Sequence, residues 1–209
     1  MEECEIVQNT GLRGVTIAST KISDVDGKKG KLVYRGYLAK DLAGKVTFEE
    51  VAFLLLYEKL PNQAELAAFS DDLARNRDLP PNIFAAMTAF PKDALPMDVL
   101  QAVVPMLAHH DPGVNTHTRE NALEIAVKLI AKFPAIVAGW DRIRNGKAPV
   151  DPDPALGHAA NFFYMLTGEI PDEGLAGFFD AALVLHAEHS FNASTFAARE
   201  VASTKAHMY

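Results

Sequence analysis

Apolar residues recur every three or four positions through most of the chain after residue 40, a spacing that predicts amphipathic helices. The longest such pattern covers 119–144, roughly 39 Å if helical, with Pro134 expected to bend it. Capping and proline signals predict the other helices. These begin at the Thr47 capping box, near Asn62, at Pro81 and at Pro96 with a kink at Pro105, and continue with 156–166, 172–189 and a segment after Asn192.

The first forty residues have a different pattern. Two β-prone runs, 15–20 and 31–35, flank a turn-forming stretch at 24–30 that contains Asp-Gly and a second glycine, and this arrangement predicts a small hairpin. The fold class expected is therefore all-α: a layered helical bundle over 41–209 with a minor N-terminal β-hairpin over 1–40. After Thr195 the pattern contains no glycine or proline stop, so the last helix is expected to remain open at Tyr209.

Composition narrows the classes of function. The 49% apolar content lies in short runs, the longest at 51–57, whereas a membrane span needs about 20 apolar residues, so no span is expected. The acidic start is unlike a signal or transit peptide, and a cytoplasmic protein is expected. With Cys4 as its one cysteine, the chain offers no internal disulfide and no thiolate cluster. Its net charge of −7 disfavours nucleic acid as a partner.

Candidate chemistry centres on two histidines at the end of the predicted helix 172–189. The spacing of Leu175, Phe178, Phe179, Ala182 and Leu183 predicts one buried face for that helix. His186 and His189 are three residues apart, so both rings should lean to that side and be half-buried. Asn192 or Ser194 can then cap the following helix, whose N-terminus offers amide groups to an anion. The sequence thus suggests a place to hold a carboxylate.

Other interpretations of the histidines stay open. Either ring can be a hydrogen-bonded core residue, the commoner role of a buried histidine. Glu188 between them suggests a metal site, but the zinc motif H-E-x-x-H is absent and no cysteine cluster adds ligands. A second metal hypothesis concerns the polar segment 109–117, which we expect to be a surface loop, with His109, His110, Asp111 and His117. No metal is expected at either place.

A family resemblance rests on several segments in a fixed order. Residues 185–196 read LHAEHSFNASTF, and the earlier matching segments are 11–15 (GLRGV), 22–27 (ISDVDG), 34–37 (YRGY), 49–52 (EEVA), 60–61 (LP) and 158–162 (HAANF). Together they cover essentially the whole chain. The sequence resembles the citrate synthases, particularly the bacterial and archaeal short type that includes 2-methylcitrate synthases.

The resemblance implies an enzyme that joins acetyl-CoA to oxaloacetate, giving citrate and CoA, on a mainly helical homodimer with a large and a small domain. Acetyl-CoA is then a substrate, and no cofactor is implied. The family's catalytic histidine and aspartate have no counterpart in this sequence, so the chain is expected to be the N-terminal portion of the large domain and inactive alone. Two alternatives are a 2-methylcitrate synthase, which uses propionyl-CoA, and a truncated, non-catalytic dimerisation module.

The resemblance also assigns site residues. His189 matches the family histidine that hydrogen-bonds oxaloacetate, a donor that orients and polarises the keto group. Asn192 is either a second ligand or only the cap of the next helix. His186 is expected to order its neighbour by packing or hydrogen bonding.

Three further residues bear on this site. Arg35 could pair with an anion, but a fold-stabilising role is the better interpretation. Ser190 stands where many family members carry a glutamate, and His207 stands where an aspartate usually precedes Met-Tyr. The first departure removes a negative charge beside the expected substrate carboxylates.

Overall fold

The structure, a computed structural model, describes residues 18–209. Its N-terminal part is an antiparallel sheet in which β1 (Ser23–Asp26), β2 (Lys31–Tyr34) and β3 (Tyr37–Leu38) lie in sequence order. The predicted hairpin is present but has a third strand, because Arg35 and Gly36 both adopt positive φ, as a tight type I′ connection requires. The predicted first strand was misplaced: residues 18–20 are not in a strand, and 15–17 lie outside the described residues.

Helices make up most of the described chain, which confirms the predicted all-α class. Thr47 and Asn62 each accept a hydrogen bond from the backbone amide three residues on, and a glutamate at that position returns the bond. The capping box predicted at Thr47 therefore forms, and a second one, which was not predicted, caps the helix expected near Asn62. The helices are α1 (Ala39–Leu42), α2 (Phe48–Tyr57), α3 (Gln63–Arg75), α4 (Pro81–Thr88), α5 (Pro96–Val103), α6 (Arg119–Arg144), α7 (His158–Thr167), α8 (Glu173–His186) and α9 (Ala193–Ser203).

Helix α6 is the centre of the bundle and contacts α3, α4, α5 and α7. Its buried positions include three alanines and Gly139, and small residues let neighbouring helices approach closely. Ile136 and Trp140 join Ile83, Met87 and Val103 in the main core. Two residues of the predicted apolar face, Phe133 and Val137, are instead 36% and 43% exposed. They therefore leave an apolar strip of α6 at the surface.

A second core cluster joins the sheet to the helices. Tyr34 and Val184, both fully buried, pack with α1 and α2 residues. Because Tyr34 is on β2 and Val184 lies near the end of α8, this cluster fixes the end of α8 against the sheet. The segment that follows α8 therefore starts from a rigid base.

Three local predictions need correction. Pro105 lies in a 3₁₀ helix, Val104–His110, that continues α5, rather than at a kink in one long helix. The last helix does not remain open, because α9 ends at Ser203 and is followed by a turn. The polar segment 109–117 is mostly exposed, as predicted, but its first two residues end the 3₁₀ helix and Asp111 is buried. Among the helices described between residues 18 and 209, none combines the length and apolarity that crossing a bilayer demands.

Candidate functional site

The two candidate histidines do not share a helix. Helix α8 ends at His186, so His189 lies in the connection to α9, and both side chains are exposed. The expected half-buried pair is therefore wrong. The apolar spacing misled because Phe178, assigned to the buried face, is 75% exposed, whereas Val184 is the residue of this helix that is fully buried.

His186 is held by its own helix. Its Nδ1 lies 2.7 Å from the carbonyl oxygen of Ala182, one turn earlier, and since a carbonyl only accepts, the ring donates this bond. The structural role of His186 is thus limited to α8. Its hydrogen bond orders the His186 ring on its own helix, whereas the prediction was that His186 orders its neighbour.

The connection that carries His189 is bonded to the sheet. Glu188 Oε1 accepts a hydrogen bond from Ser23 Oγ at 2.7 Å and another from the backbone amide of Ser190. The hydroxyl of Tyr34 donates to the carbonyl of Leu185 at 3.1 Å and accepts from the Glu188 amide at 3.4 Å. Sequence reasoning missed Ser23, Tyr34 and the bonding of Glu188, because partners more than 150 residues apart leave no local signal.

Asn192 is the N-cap of α9. Its side-chain oxygen accepts from the Thr195 amide at 2.7 Å and from Ser194 Oγ at 2.6 Å. The cap interpretation is therefore confirmed, and the oxygen already has two donors. Helix α9 has no buried residue, so its N-terminus lies at the surface, next along the chain to His189. The first-turn amides of such a helix favour anions.

Arg35 is directed to the fold rather than to the His189 segment. One of its terminal nitrogens donates to the carbonyl of Leu55 at 3.0 Å and lies 3.7 Å from the carboxylate of Glu58. Because its side chain is only 12% exposed, it links the β2–β3 turn to the end of α2. These contacts agree with the fold-stabilising interpretation.

The 109–117 segment is arranged around a carboxylate that is already paired. Asp111 accepts hydrogen bonds from Lys128 at 2.9 Å, from the Gly113 amide at 2.8 Å and from the hydroxyl of Tyr209. Burial would raise the pKa of Asp111, but the bonds from Tyr209 and Lys128 outweigh burial and hold that pKa below its usual value. Within residues 18–209, no three His, Cys, Asp or Glu side chains are grouped as metal ligands.

A buried polar cluster lies at the start of α7. Glu49 accepts from the His158 amide at 2.7 Å, and Arg77 donates to the carbonyls of Asp153 and Leu156. The His158 ring packs on Phe48 with 4.9 Å between ring centroids. Burial, assisted by the charge of Arg77, lowers the pKa of His158 to about 4, so this imidazole is neutral near pH 7.

An apolar groove of about 550 Å³ opens beside this cluster, and we call it the α6–α8 groove. Its lining does not include His186, His189 or Asn192, so it is separate from the candidate site. The lining residues come from α2, α6, α7 and α8 and are Phe48, Leu129, Ile130, Phe133, Pro134, Val137, His158, Phe162, Phe179 and Leu183.

Comparison with known proteins identifies the family to which the chain belongs. A sequence model of the family described as "Citrate synthase, C-terminal domain" matches residues 11–209. The chain belongs to the citrate synthase family, as its motifs predicted. It is similar to a citrate synthase of Haloferax volcanii, with 45% identity over 203 residues that make up 95% of this chain and 54% of that protein. It is also similar to a 2-methylcitrate synthase of Mycobacterium tuberculosis, with 40% identity covering 95% of this chain and 50% of that protein.

Solved structures agree with the sequence relatives. The fold matches the crystal structure of citrate synthase from Pyrobaculum aerophilum with a TM-score of 0.89 and 41% identity, covering 95% of this chain and 52% of that one. The chain spans about half the length of the relatives it matches.

Proposed function

We propose that the protein carrying this chain condenses acetyl-CoA with oxaloacetate to give citrate and CoA, and that this chain supplies part of the oxaloacetate site. One observation carries the proposal: in a citrate synthase family member, the segment 187–192 places His189 directly before the capped N-terminus of α9. A hydrogen-bond donor beside an anion-favouring helix start suits a dicarboxylate with a keto group.

The chemistry assigned to this chain is orientation and polarisation. A ring N–H of His189 donates to the keto oxygen of oxaloacetate, which fixes the carbonyl carbon for attack and stabilises the negative charge that develops on oxygen. Amides of the first turn of α9 attract a substrate carboxylate. Removal of a proton from the thioester methyl belongs to catalytic residues that this chain does not supply, and we propose that the 209-residue chain alone is inactive.

We also propose that the active protein is a homodimer. Support for this comes from the α6–α8 groove and from the exposed side chains of Leu95, Met97 and Phe178, which are apolar surface of the kind that subunit interfaces cover.

Oxaloacetate binding by the full-length protein tests the site. We expect His189→Ala to weaken binding roughly 10- to 100-fold, the range for loss of a hydrogen bond to a charged ligand. His186→Ala is the matched control, because that ring bonds its own helix, and it should bind oxaloacetate nearly as wild type does. Equal affinity in His189→Ala and wild type would remove His189 from the site.

A second candidate is 2-methylcitrate synthesis from propionyl-CoA. It is favoured by the similarity to a protein named 2-methylcitrate synthase, at an identity close to that of the citrate synthases. One extra methylene changes affinity by only about 1–3 kcal/mol, so the choice needs measurement. The decisive quantity is kcat/KM for the two thioesters in the same preparation: a higher value with acetyl-CoA supports our proposal, and a higher value with propionyl-CoA supports the second candidate.

A further inference from the structure

We propose that Glu188 is a positioning residue, which sets the orientation of His189 by bonding the connection between α8 and α9 to the sheet. The inference rests on the proposed function, because it assigns Glu188 to the oxaloacetate site. It is carried by the hydrogen bond from Ser23 Oγ to Glu188 Oε1, at 2.7 Å across 165 residues of sequence.

The sheet offers a fixed base for this bond. Ser23 on β1 and Tyr34 on β2 are directly opposite one another in the strand register, and both are buried. Their hydroxyls reach the same short segment, Ser23 at the Glu188 side chain and Tyr34 at the Leu185 carbonyl and the Glu188 amide. Three bonds from one strand pair therefore hold the chain just before His189.

A second bond of Glu188 acts just after His189. Ser190 has φ of +77°, in the left-handed region, which a residue other than glycine adopts only at an energetic cost. Its amide donates to the Glu188 carboxylate, and that bond offsets part of the cost. Glu188 thus bonds the sheet on one side and closes a tight turn around His189 on the other.

The charge of Glu188 argues against direct contact with the substrate. A carboxylate next to a dicarboxylate substrate repels it, so Glu188 is unfavourable as a ligand for oxaloacetate. Glu188 accepts the hydrogen bonds from Ser23 and Ser190 with one oxygen, Oε1, and a glutamine side chain also has an oxygen that can accept them. The effect of positioning can therefore be separated from the effect of charge.

The experiment compares steady-state kinetics of Glu188→Ala, Glu188→Gln and Ser23→Ala in the full-length protein. We expect Glu188→Ala to raise the KM for oxaloacetate roughly 10- to 100-fold without changing the KM for the thioester, because a displaced donor loses alignment with the keto oxygen. Glu188→Gln should stay near wild type. Glu173→Ala, at an exposed position in the first turn of α8, is the matched control and should have no effect.

Ser23→Ala gives an independent test if Glu188→Ala fails to fold. It should raise the KM for oxaloacetate in the same direction but less, and the double variant should be no worse than Glu188→Ala, because both changes break one linkage. An unchanged KM in Ser23→Ala or in Glu188→Ala overturns the inference, and so does a Glu188→Gln variant as defective as Glu188→Ala. A wild-type protein that does not bind oxaloacetate overturns the proposed function itself, and with it this role.

Discussion

The fold strongly lowers the pKa of the buried His158 imidazole. It lies against the ring of Phe48 and near the charge of Arg77, away from water, and its pKa falls from an ordinary value of 6.5 to about 4. Its backbone amide and its ring have separate roles, since the amide bonds Glu49. The pH dependence of stability that His158 contributes should therefore come from its ring, without loss of the Glu49 contact.

We predict that His158 makes the protein less stable in mild acid. Between its ordinary pKa of 6.5 and about 4, the unfolded chain binds a proton at His158 that the folded chain does not, so the free energy of unfolding decreases as pH falls through that window. The decrease from this residue should be about 2–3 kcal/mol by about pH 4.5. Urea unfolding of wild type and His158→Phe measures it.

The comparison of wild type with His158→Phe has an internal control at high pH. Near pH 8 the imidazole is neutral in both states, so any difference between the two proteins there reflects packing on Phe48 alone. On going from pH 8 to about pH 4.5, the wild type should lose about 2–3 kcal/mol more of its free energy of unfolding than His158→Phe loses. Parallel losses in the two proteins would show that His158 is not the group responsible.

The cap residue Asn192 allows a second prediction at this scale. Because α9 has no buried residue, its first turn depends on the bonds that the Asn192 oxygen accepts from Thr195 and Ser194. Asn192→Ala should cost the first turn of α9 about 1 kcal/mol, seen as faster hydrogen exchange at the Thr195 amide with little change in global unfolding. Asn192→Ser should keep both the wild-type protection of the Thr195 amide and the wild-type affinity for oxaloacetate. Protection without that affinity would indicate a direct contact between the Asn192 side chain and the substrate.

At the scale of elements, local sequence signals predicted where helices begin and how far they extend, whereas hydrogen bonds between distant parts of the chain were not predictable. The capping box at Thr47, the helix start near Asn62 and the helix Arg119–Arg144 follow from residues a few positions apart. The end of α8 does not, because it packs through Val184 and because its Leu185 carbonyl bonds Tyr34, on a strand 151 residues earlier. Residues His189 and Asn192 could thus be selected from sequence, but the exposure of the His189 side chain and the bonds of Leu185 and Glu188 to the sheet could not.

Two glycines in helices give a matched test of packing. In α6, a Cβ at Gly139 would lie 2.9 Å from Phe84 Cε1 and 3.4 Å from Met87 Cε, whereas at Gly177 in α8 it would meet nothing within 4 Å. Gly177→Ala should stabilise by up to about 1 kcal/mol through helix propensity. Gly139→Ala gains the same propensity but overpacks the α4 contact, for a net loss of about 1–2 kcal/mol. Urea unfolding measures the free energy of unfolding of both variants. If both are more stable than wild type, α4 can shift to accommodate the added methyl group on α6 without cost.

At the scale of the whole molecule, composition and periodicity predicted the helical class because binary pattern dominates the choice of fold. They did not predict which apolar faces stay open. Phe133 and Val137 follow the same spacing as the buried Ile136, yet they line the α6–α8 groove at the surface. Spacing identifies an apolar face, whereas the elements that cover that face depend on tertiary contacts.

An open apolar groove of about 550 Å³ should bind an environment-sensitive apolar dye, and we expect the 209-residue polypeptide to enhance the fluorescence of such a dye. Val137→Lys places a charge at the groove wall, on a side chain already 43% exposed, so it should abolish the enhancement while leaving urea unfolding nearly unchanged. Val201→Lys, at a 55% exposed position on α9 outside the groove lining, is the matched control and should bind dye as wild type does. Equal loss in both variants would indicate that the dye reports general surface apolarity, and the groove would then not be the apolar surface that matters for assembly.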